Sequence, residues 1–313
     1  MTLALLGGCQ QPAATLLEHR MIWDRDAHNA FTDLCRWRGE WWCCFREANA
    51  HKNCIGSIHM LRSKDGITWV NKALLSIPGI DLRDPKLSVT PDDELMLIAG
   101  SRSRVFILNN PAGGFYGGCE VVGKEWLWRV TWIDGVGYGF SYAADGDPLT
   151  LWKTTGGIRY EKVADVTIPG RPTEATICPD INNATRARFI VRRETGDRAT
   201  HLGTIDLTKK TIDGLYTIGP HVGGPNMIEL PDGRVLVSGR ISMSTSDALG
   251  GVGIDNRMVL AELRDLRLYH LLTLPSGGDC GYAGMVYHDG LLWMSYYSSH
   301  EGKAKIYLAK VKL

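Results

Sequence analysis

Apolar residues along this chain come in short runs that are paired across a turn. Six times a run of strand-forming residues is followed by a tight turn and a second such run, as in NMIELPDGRVLVSGR and YAGMVYHDGLLWMSYYSS. Aromatic and β-branched residues favour strands, and a turn containing Gly or Asp between two such runs indicates a β-hairpin. The pattern therefore predicts an all-β chain built from six hairpins.

The six hairpins recur at a nearly regular spacing. Successive turns are 42 to 57 residues apart, and a third and a weaker fourth strand-like run follow most hairpins. That length suits one four-stranded blade of a β-propeller. The residues that mark the turns are Gly39, Asp92, Asp134, Asp180, Asp232 and Asp289. We therefore predict that residues 14–313 form a single domain, a six-bladed β-propeller of four-stranded antiparallel blades.

The last repeat is one strand short. It ends after AKIYLAKVKL, whereas the segment from Ala14 to Trp23 is an apolar run with no hairpin of its own. Pairing of these two segments would complete the sixth blade and remove the exposed sheet edges of an open ring. The sequence therefore predicts that an N-terminal strand closes the propeller.

The first 13 residues resemble the end of a bacterial lipoprotein signal followed by a linker. Leu6-Gly7-Gly8-Cys9 is similar to a lipobox, in which the cysteine carries the lipid, although the basic segment of a complete signal peptide is missing. We expect Cys9 to be the lipidation site of an exported periplasmic or cell-surface protein; a frayed apolar terminus is the alternative. No other segment is long and apolar enough to span a membrane, so membrane contact would depend on this anchor.

Composition limits the partners. The 313 residues carry a formal net charge of +1 without a long run of Lys or Arg, so we predict no nucleic-acid partner. The seven cysteines after Cys9 form no CxxC pair and no zinc-like spacing with histidine. This pattern disfavours zinc, and we expect no metal. We also expect no cofactor and a monomer.

One rim of the propeller concentrates charge. Because antiparallel strands reverse at the turn, the start of each first strand lies beside the end of the second, on the face opposite the turns. If the first strands line the central channel, that rim gathers mainly arginines, carboxylates and tyrosines: Asp33, Arg46, Glu47, Arg83, Asp84, Arg102, Arg129, Tyr142, Glu174, Arg193, Asn226, Arg240, Tyr282 and Tyr297. Such charges must pair with one another or await an anionic ligand, because an unpaired charge is costly to bury.

A turn motif indicates a family. RSKDGITW, from Arg62 to Trp69, resembles the Asp box that recurs between the third and fourth strands of sialidase propellers, and KTTGGIRY, from Lys153 to Tyr160, looks like a degenerate copy. In such a turn Ser63 and Asp65 would hydrogen-bond the backbone, and Gly66 would take the positive φ.

The chain is similar to the sialidase (neuraminidase) superfamily at four further positions. In that family a Glu opens the fourth blade, an Arg ends its second strand, another Arg precedes the third strand of the fifth blade and a Tyr opens the sixth; the matching residues are Glu174, Arg193, Arg257 and Tyr282. The resemblance implies that Tyr282 is the nucleophile and Glu174 its base. It also implies that Arg193 and Arg257 clamp the substrate carboxylate with forked hydrogen bonds. A phenol suits an anionic sugar, because the sugar's carboxylate would repel a carboxylate nucleophile.

Two family positions are not matched. The first-blade Arg should fall near Ala30-Phe31-Thr32, where no arginine occurs, so Arg46 or Arg83 would have to replace it. The acid/base Asp should fall within FREANAHKN, where His51 or Glu47 is available. A histidine can protonate a leaving group near neutral pH.

These positions predict a sialidase-like exo-glycosidase that hydrolyses a terminal acidic sugar of a glycan or glycoconjugate with retention. Arg83, Asp84 and Arg240 are expected to contact the same sugar. Each site residue also has a structural alternative, as a packing aromatic or as a member of an ion pair between blades. The alternative function is a noncatalytic carbohydrate-binding propeller that uses the same rim. A protein-interaction propeller fits this charged rim less well.

Overall fold

The computed structural model describes residues 14–100, 102–144, 146–246 and 252–313. These residues form six antiparallel sheets arranged as the blades of a β-propeller, which confirms the predicted fold. Cys9, the expected lipidation site, lies outside the described residues. Within the described ranges, no helix is long and apolar enough to cross a membrane.

Each blade has four strand positions, and blade 3 divides its first position between two short strands. The chain begins with β1 (Thr15–Trp23), which belongs to blade 6. Blade 1 consists of β2 (His28–Trp37), β3 (Glu40–Ala48), β4 (Ser57–Ser63) and β5 (Val70–Leu75). Blade 2 consists of β6 (Lys86–Val89), β7 (Leu95–Ala99), β8 (Arg104–Leu108) and β9 (Tyr116–Glu120). Blade 3 consists of β10 (Trp126–Leu127), β11 (Thr131–Ile133), β12 (Val136–Tyr142), β13 (Leu149–Thr154) and β14 (Glu161–Val166).

The second half of the ring follows the same plan. Blade 4 consists of β15 (Pro172–Asp180), β16 (Asn183–Arg193), β17 (Thr200–Asp206) and β18 (Thr211–Gly219). Blade 5 consists of β19 (Val222–Glu229), β20 (Val235–Ser246), β21 (Val252–Arg264) and β22 (Arg267–Thr273). Blade 6 consists of β23 (Cys280–His288), β24 (Leu291–Ser298), β25 (Lys305–Lys312) and β1.

The ring is closed by β1, which pairs antiparallel with β25 and places Trp23 opposite Ile306. Closure by an N-terminal strand is therefore confirmed. Where blade 6 meets blade 1, their first strands β23 and β2 run very close to each other. A Cβ on Gly284 would collide with the backbone nitrogen of Leu34, so only glycine fits there.

The hydrophobic core of the described residues consists of six clusters, one at each contact between neighbouring blades, and the cluster between blades 6 and 1 also includes Trp128 of blade 3. Between blades 6 and 1 the Trp41 and Trp293 rings stack with centroids 4.1 Å apart, and between blades 3 and 4 Phe140 and Phe189 meet at 4.8 Å. Because every blade is packed on both sides, the ring fixes the first strands and the residues at the mouth of the channel.

The turn between β4 and β5 is stabilised by two of its own side chains. The Ser63 hydroxyl accepts a hydrogen bond from the Gly66 amide at 2.8 Å, and Asp65 Oδ1 accepts from the next two amides at 2.8 Å each. Gly66 has φ +72°, and a Cβ there would collide with the Trp293 ring of blade 6. This turn therefore also sets the contact between two blades.

Candidate active site

Five of the six first strands have a residue in the left-handed region of the backbone map, either among their first four residues or two residues before the strand. The φ angle is +62° at Phe31, +48° at Asp84, +42° at Glu174, +60° at Gly224 and +56° at Tyr282. A non-glycine residue in this region costs about 1 to 3 kcal/mol and persists where the surrounding structure holds it. In blades 1, 4, 5 and 6 the position is a β-bulge, at which the register with the second strand shifts. The bulges bring side chains together at the channel mouth, where the Phe31 and Tyr282 centroids are 5.1 Å apart.

Tyr282 and Glu174 meet across this mouth. The Tyr282 hydroxyl donates a hydrogen bond to Glu174 Oε1 at 2.7 Å, and the two residues are 8% and 6% exposed. Arg192 Nη1 donates to the same oxygen at 2.8 Å, while the Gly224 amide donates to Oε2 at 2.9 Å. The carboxylate is thus held on both oxygens, with the phenol directly against it.

The surroundings set the charge of both groups. Burial and the neighbouring Glu174 charge raise the pKa of Tyr282 well above its usual value. Burial alone would also raise the pKa of Glu174, but the Arg192 guanidinium and the hydrogen bonds from Tyr282 and Gly224 hold that pKa below its usual value. At neutral pH the phenol is therefore protonated and the carboxylate ionised, which is the state that a nucleophile and its base require.

Gly224 lies against the face of the Tyr282 ring. A Cβ at this position would approach three ring atoms to 2.9 to 3.0 Å. No larger residue fits there without displacing the ring, and the sequence offered no signal for this contact.

Tyr282 and Glu174 line a cavity of about 440 Å³. Of the other predicted site residues, His51, Arg83, Asp84 and Arg240 line the same cavity. Cations outnumber carboxylates among its charged residues, which are Lys52, Arg83, Arg171, Arg192 and Arg240 against Asp84, Glu174 and Glu194. This excess of positive charge favours an anionic ligand.

Two of these arginines, Arg83 and Arg240, form no short ion pair among the described residues. Arg83 Nε is buried and has no hydrogen-bond partner among the described residues, and its guanidinium lies 5.0 Å from the centroid of the Phe31 ring. Arg240 donates to the Cys280 carbonyl at 3.3 Å and lies 4.0 Å from Asp279 Oδ1. Both guanidinium groups can therefore take a carboxylate without giving up an existing short ion pair.

Asp84 is buried on the cavity wall. Its Oδ1 has no hydrogen-bond partner among the described residues, and burial raises its pKa to about 6 although Lys86 and Arg83 oppose the shift. The Lys86 ammonium lies beneath, 4.5 Å from the Trp128 ring centroid and 5.4 Å from that of Tyr282. Asp84 is thus an acceptor without a donor, suited to a sugar hydroxyl.

The structure corrects the expected position of Arg193. This residue does not line the cavity: Nε donates to the Pro169 carbonyl and Nη1 to Asp197 Oδ1, both at 2.5 Å. Arg192 lines the cavity and contacts Glu174 instead. Only one of the two arginines can do so, because neighbouring residues on a strand point to opposite faces. The bulge in β15 shifts the pairing by one residue, so the Arg-Arg sequence alone did not reveal which of the two faces Glu174.

Arg257 also lies away from the cavity. It stands on β21, the third strand of its blade, and its Nε donates to Asp255 Oδ2 at 2.7 Å. The two residues are on the same face of the strand because their separation is two. Arg257 is therefore neutralised locally, and the expected clamp of Arg193 with Arg257 is wrong in its geometry.

Glu47 and Arg46 are likewise occupied elsewhere. Glu47 accepts from Trp23 Nε1 at 2.7 Å and contacts His59 Nε2 at 2.9 Å, so it lies between blades and does not line the cavity. Arg46 is fully buried and donates to Asp81 Oδ1 at 2.7 Å. The expectations of Glu47 as acid/base and of Arg46 as a substrate ligand are thus not supported by their positions.

His51 reaches the cavity from the loop between β3 and β4, held by a residue that the sequence did not single out. Its Nδ1 lies 2.6 Å from Asp279 Oδ2, and His28 Nε2 lies 2.8 Å from the same oxygen. Their donor atoms lie within 4.8 Å of one another, as a metal site would require. Ligands of tetrahedral zinc, with bonds of about 2.0 to 2.1 Å, are roughly 3.3 Å apart. The shorter separations here are those of hydrogen bonds.

No protein-family model and no curated protein sequence matches this chain, whereas many solved structures do. A protein of unknown function from Dyadobacter fermentans is 17% identical with a TM-score of 0.77, over 96% of this chain and 100% of that one. The α-L-arabinofuranosidase Arb93A of Fusarium graminearum is 13% identical with a TM-score of 0.69, over 91% and 93%. The NanB sialidase of Streptococcus pneumoniae is 11% identical with a TM-score of 0.68, over 93% and 70%. The chain therefore has a sialidase-like six-bladed propeller fold, which it shares with a sialidase and an arabinofuranosidase.

Proposed function

We propose that this protein is a retaining exo-glycosidase that hydrolyses a terminal acidic, sialic-acid-like sugar. The observation that carries the proposal is the buried hydrogen bond of 2.7 Å between the Tyr282 hydroxyl and Glu174. A phenol is a weak nucleophile unless a base removes its proton as it attacks. Glu174 is ionised and in contact, so it can take that proton.

The reaction has two steps. In the first, the Tyr282 oxygen bonds to the anomeric carbon while its proton passes to Glu174, and the leaving oxygen departs with a proton from His51. In the second, water attacks the same carbon and gives a proton to His51, and the tyrosyl oxygen leaves with the proton held by Glu174. Two displacements at one carbon restore the starting configuration, so the mechanism predicts retention.

An acidic sugar is favoured by the nucleophile and by the cavity. The carboxylate of such a sugar would repel a carboxylate nucleophile but not a neutral phenol. Arg83 and Arg240 are the residues proposed to bind that carboxylate, in place of Arg193 and Arg257, because both line the cavity. Asp84 would accept a hydroxyl of the same sugar.

A chain end rather than a chain interior is favoured by what lies below the cavity. The Arg129 guanidinium and Asp33 form a bidentate pair at 2.8 and 3.0 Å, and Lys86 is 4% exposed. These groups fill the channel beneath the site. A glycan therefore cannot pass through the ring, and we propose that the bound sugar is a chain end.

The test is a panel of aryl glycosides of acidic sugars, sialic acid included, with an arabinofuranoside as the neutral comparison. We expect turnover of an acidic glycoside, with NMR detecting the retained anomer first.

Tyr282→Phe should lower kcat by about 100-fold or more while glycan binding is kept. The matched control is Tyr116→Phe, which removes a surface phenol that donates to Glu94 at 3.2 Å on blade 2. Unchanged turnover by Tyr282→Phe would reject the nucleophile. Binding without any hydrolysis would favour the noncatalytic alternative.

We further propose that the protein is exported and anchored through Cys9, on the sequence of residues 6–9 alone, and that it is a monomer. The membrane fraction should contain the wild type expressed with its signal, and Cys9→Ser should move it to the soluble fraction. A wild-type protein found only in the cytosol would reject export. Sedimentation of the protein without its lipid tests the monomer.

A further inference from the structure

Asp279 joins four segments of the chain at the edge of the cavity. It precedes β23, and its Oδ2 lies 2.8 Å from His28 Nε2 at the start of β2 and 2.6 Å from His51 Nδ1 in the loop after β3. Its Oδ1 accepts a hydrogen bond from the Tyr297 hydroxyl on β24 at 2.8 Å. The Asp279 amide is bonded to Ser299 Oγ at 2.9 Å. The carboxylate is therefore fixed from several directions.

These contacts determine the tautomer of His51. An ionised carboxylate only accepts hydrogen bonds, so both imidazoles must donate an N–H to Oδ2. Burial alone would raise the pKa of Asp279, but the hydrogen bonds from His28 and His51 hold it well below its usual range, so the carboxyl stays ionised. With Nδ1 bound to hydrogen, His51 Nε2 is the nitrogen left for a substrate. It accepts a proton when the ring is neutral and donates one when the ring is charged.

The plane of the imidazole is fixed as well. The His51 ring packs edge-on against Phe31, with centroids 5.1 Å apart, and edge-on against His28 at 5.2 Å. The titratable and charged groups around it are Asp279, His28 on β2, Tyr297 on β24, Arg240 on β20, Asp84 before β6 and the adjacent Lys52. Asp279 is the carboxylate in direct contact with it.

We propose that Asp279 is a positioning residue that holds His51 in the Nδ1–H tautomer, so that Nε2 delivers a proton to the leaving group, and that His28 and Tyr297 lock Asp279 in place. The assignment of the proton donor rests on the proposed glycosidase function, whereas the tautomer does not. The proton that leaves Nε2 ends on the glycosidic oxygen, and water returns one to Nε2 in the second step. Asp279 remains ionised throughout.

The tautomer is tested without turnover, by long-range ¹H–¹⁵N correlation spectra of the protein labelled on its nine histidines. Assignment of His51 uses the spectrum of His51→Gln. We expect the Nδ1–H form for neutral His51 in the wild type. An Nε2–H form would overturn the proposal, whether or not the protein hydrolyses any glycoside.

The role in proton delivery is tested with Asp279→Asn on two substrates that share one sugar, a nitrophenyl glycoside and an alkyl glycoside. A nitrophenolate leaves without protonation, whereas an alkoxide needs an acid. We expect kcat/KM to fall by about 100-fold on the alkyl glycoside and only a few-fold on the aryl glycoside. The alkaline limb of the pH–rate profile should move to lower pH, because the imidazolium loses its nearest opposite charge. His51→Gln should show the same dependence on the leaving group.

The matched control is Asp289→Asn, which removes a carboxylate 3.1 Å from His288 Nε2 at a surface turn on the opposite face. It should leave both substrates and the pH profile unchanged. If Asp279→Asn lowers kcat/KM equally on the two substrates, or leaves the pH profile unchanged, the positioning role is overturned. The proposed function is tested separately, because Tyr282→Phe should be inactive in either case. Loss of wild-type activity on chelation, restored by zinc, would also overturn the positioning role, because the three side chains would then be metal ligands.

Discussion

Replacing Gly224 by alanine should separate the nucleophile from its base. The added Cβ would lie 2.9 to 3.0 Å from three atoms of the Tyr282 ring, well inside the usual contact distance of about 3.5 to 4.0 Å between carbon atoms. The ring then has to move by roughly 0.5 to 1 Å to restore ordinary contact. Its hydroxyl moves with it, which disturbs the hydrogen bond of 2.7 Å to Glu174.

The magnitude follows from two separate costs. Gly224 has φ +60°, a conformation that costs alanine about 1 to 2 kcal/mol. Overpacking against the ring adds about 1 to 3 kcal/mol. We therefore expect the free energy of unfolding to fall by about 2 to 5 kcal/mol. A displacement of about 1 Å at a reacting group lowers the rate by roughly 100-fold, so kcat should fall by that factor with little change in KM.

Gly233→Ala is the matched control. Gly233 lies in the turn between β19 and β20 of the same blade, with φ +87° and no atom within 4 Å of an added Cβ. It should lose only the backbone part of the stability and keep its kcat. The assay is thermal unfolding together with kcat on the best substrate of the panel. Wild-type kcat in Gly224→Ala would refute the need to hold Tyr282 against Glu174, and equal destabilisation of the two variants would show that the ring is not displaced.

Three further predictions follow from the same contacts. Arg192→Ala should lower kcat by about 100-fold, because Glu174 loses its ion-pair partner and its proton affinity rises; Arg193→Ala should instead lower the free energy of unfolding by about 2 to 4 kcal/mol, because buried carbonyls lose their donor. The folded-state pKa of Asp84, about 6, lies above the usual 3.8, so its protonated form stabilises the fold fully below about pH 4 and that stabilisation is lost as the pH rises through 6. Asp84→Asn should therefore be more stable than the wild type at pH 7.5, by up to about 3 kcal/mol, but not at pH 4; melting curves at the two pH values check this, and no pH dependence would contradict it. Deleting residues 1–23 removes β1 and should abolish cooperative melting, whereas a truncated protein that melts like the intact one would contradict the role of that strand.

The fold was predictable because its signals are local. Alternating apolar residues and Gly- or Asp-containing turns report on neighbours in the chain, and their spacing identified six blades. The missing strand after AKIYLAKVKL and the unpaired run before Trp23 then indicated how the ring closes. Each of these inferences needs only strand periodicity and turn chemistry.

The site was predictable only in part, because its details depend on register and on contacts between distant segments. Tyr282 and Glu174 were located from their places at strand starts. The choice between Arg192 and Arg193 depends on a bulge that no local pattern shows, and a slip of one residue reverses the face. Gly224 and Asp279 act through residues 50 or more positions away, so their roles appear only when the blades are assembled.

The measurement that tests the central claim most directly is the capture of the glycosyl-enzyme intermediate. A fluorinated glycosyl fluoride of the best substrate should form the intermediate and slow its hydrolysis, and mass spectrometry of the digested protein then locates the sugar. The proposed mechanism predicts the adduct on the Tyr282 hydroxyl, with none on Tyr282→Phe. An adduct on Glu174 or Asp84 would contradict it.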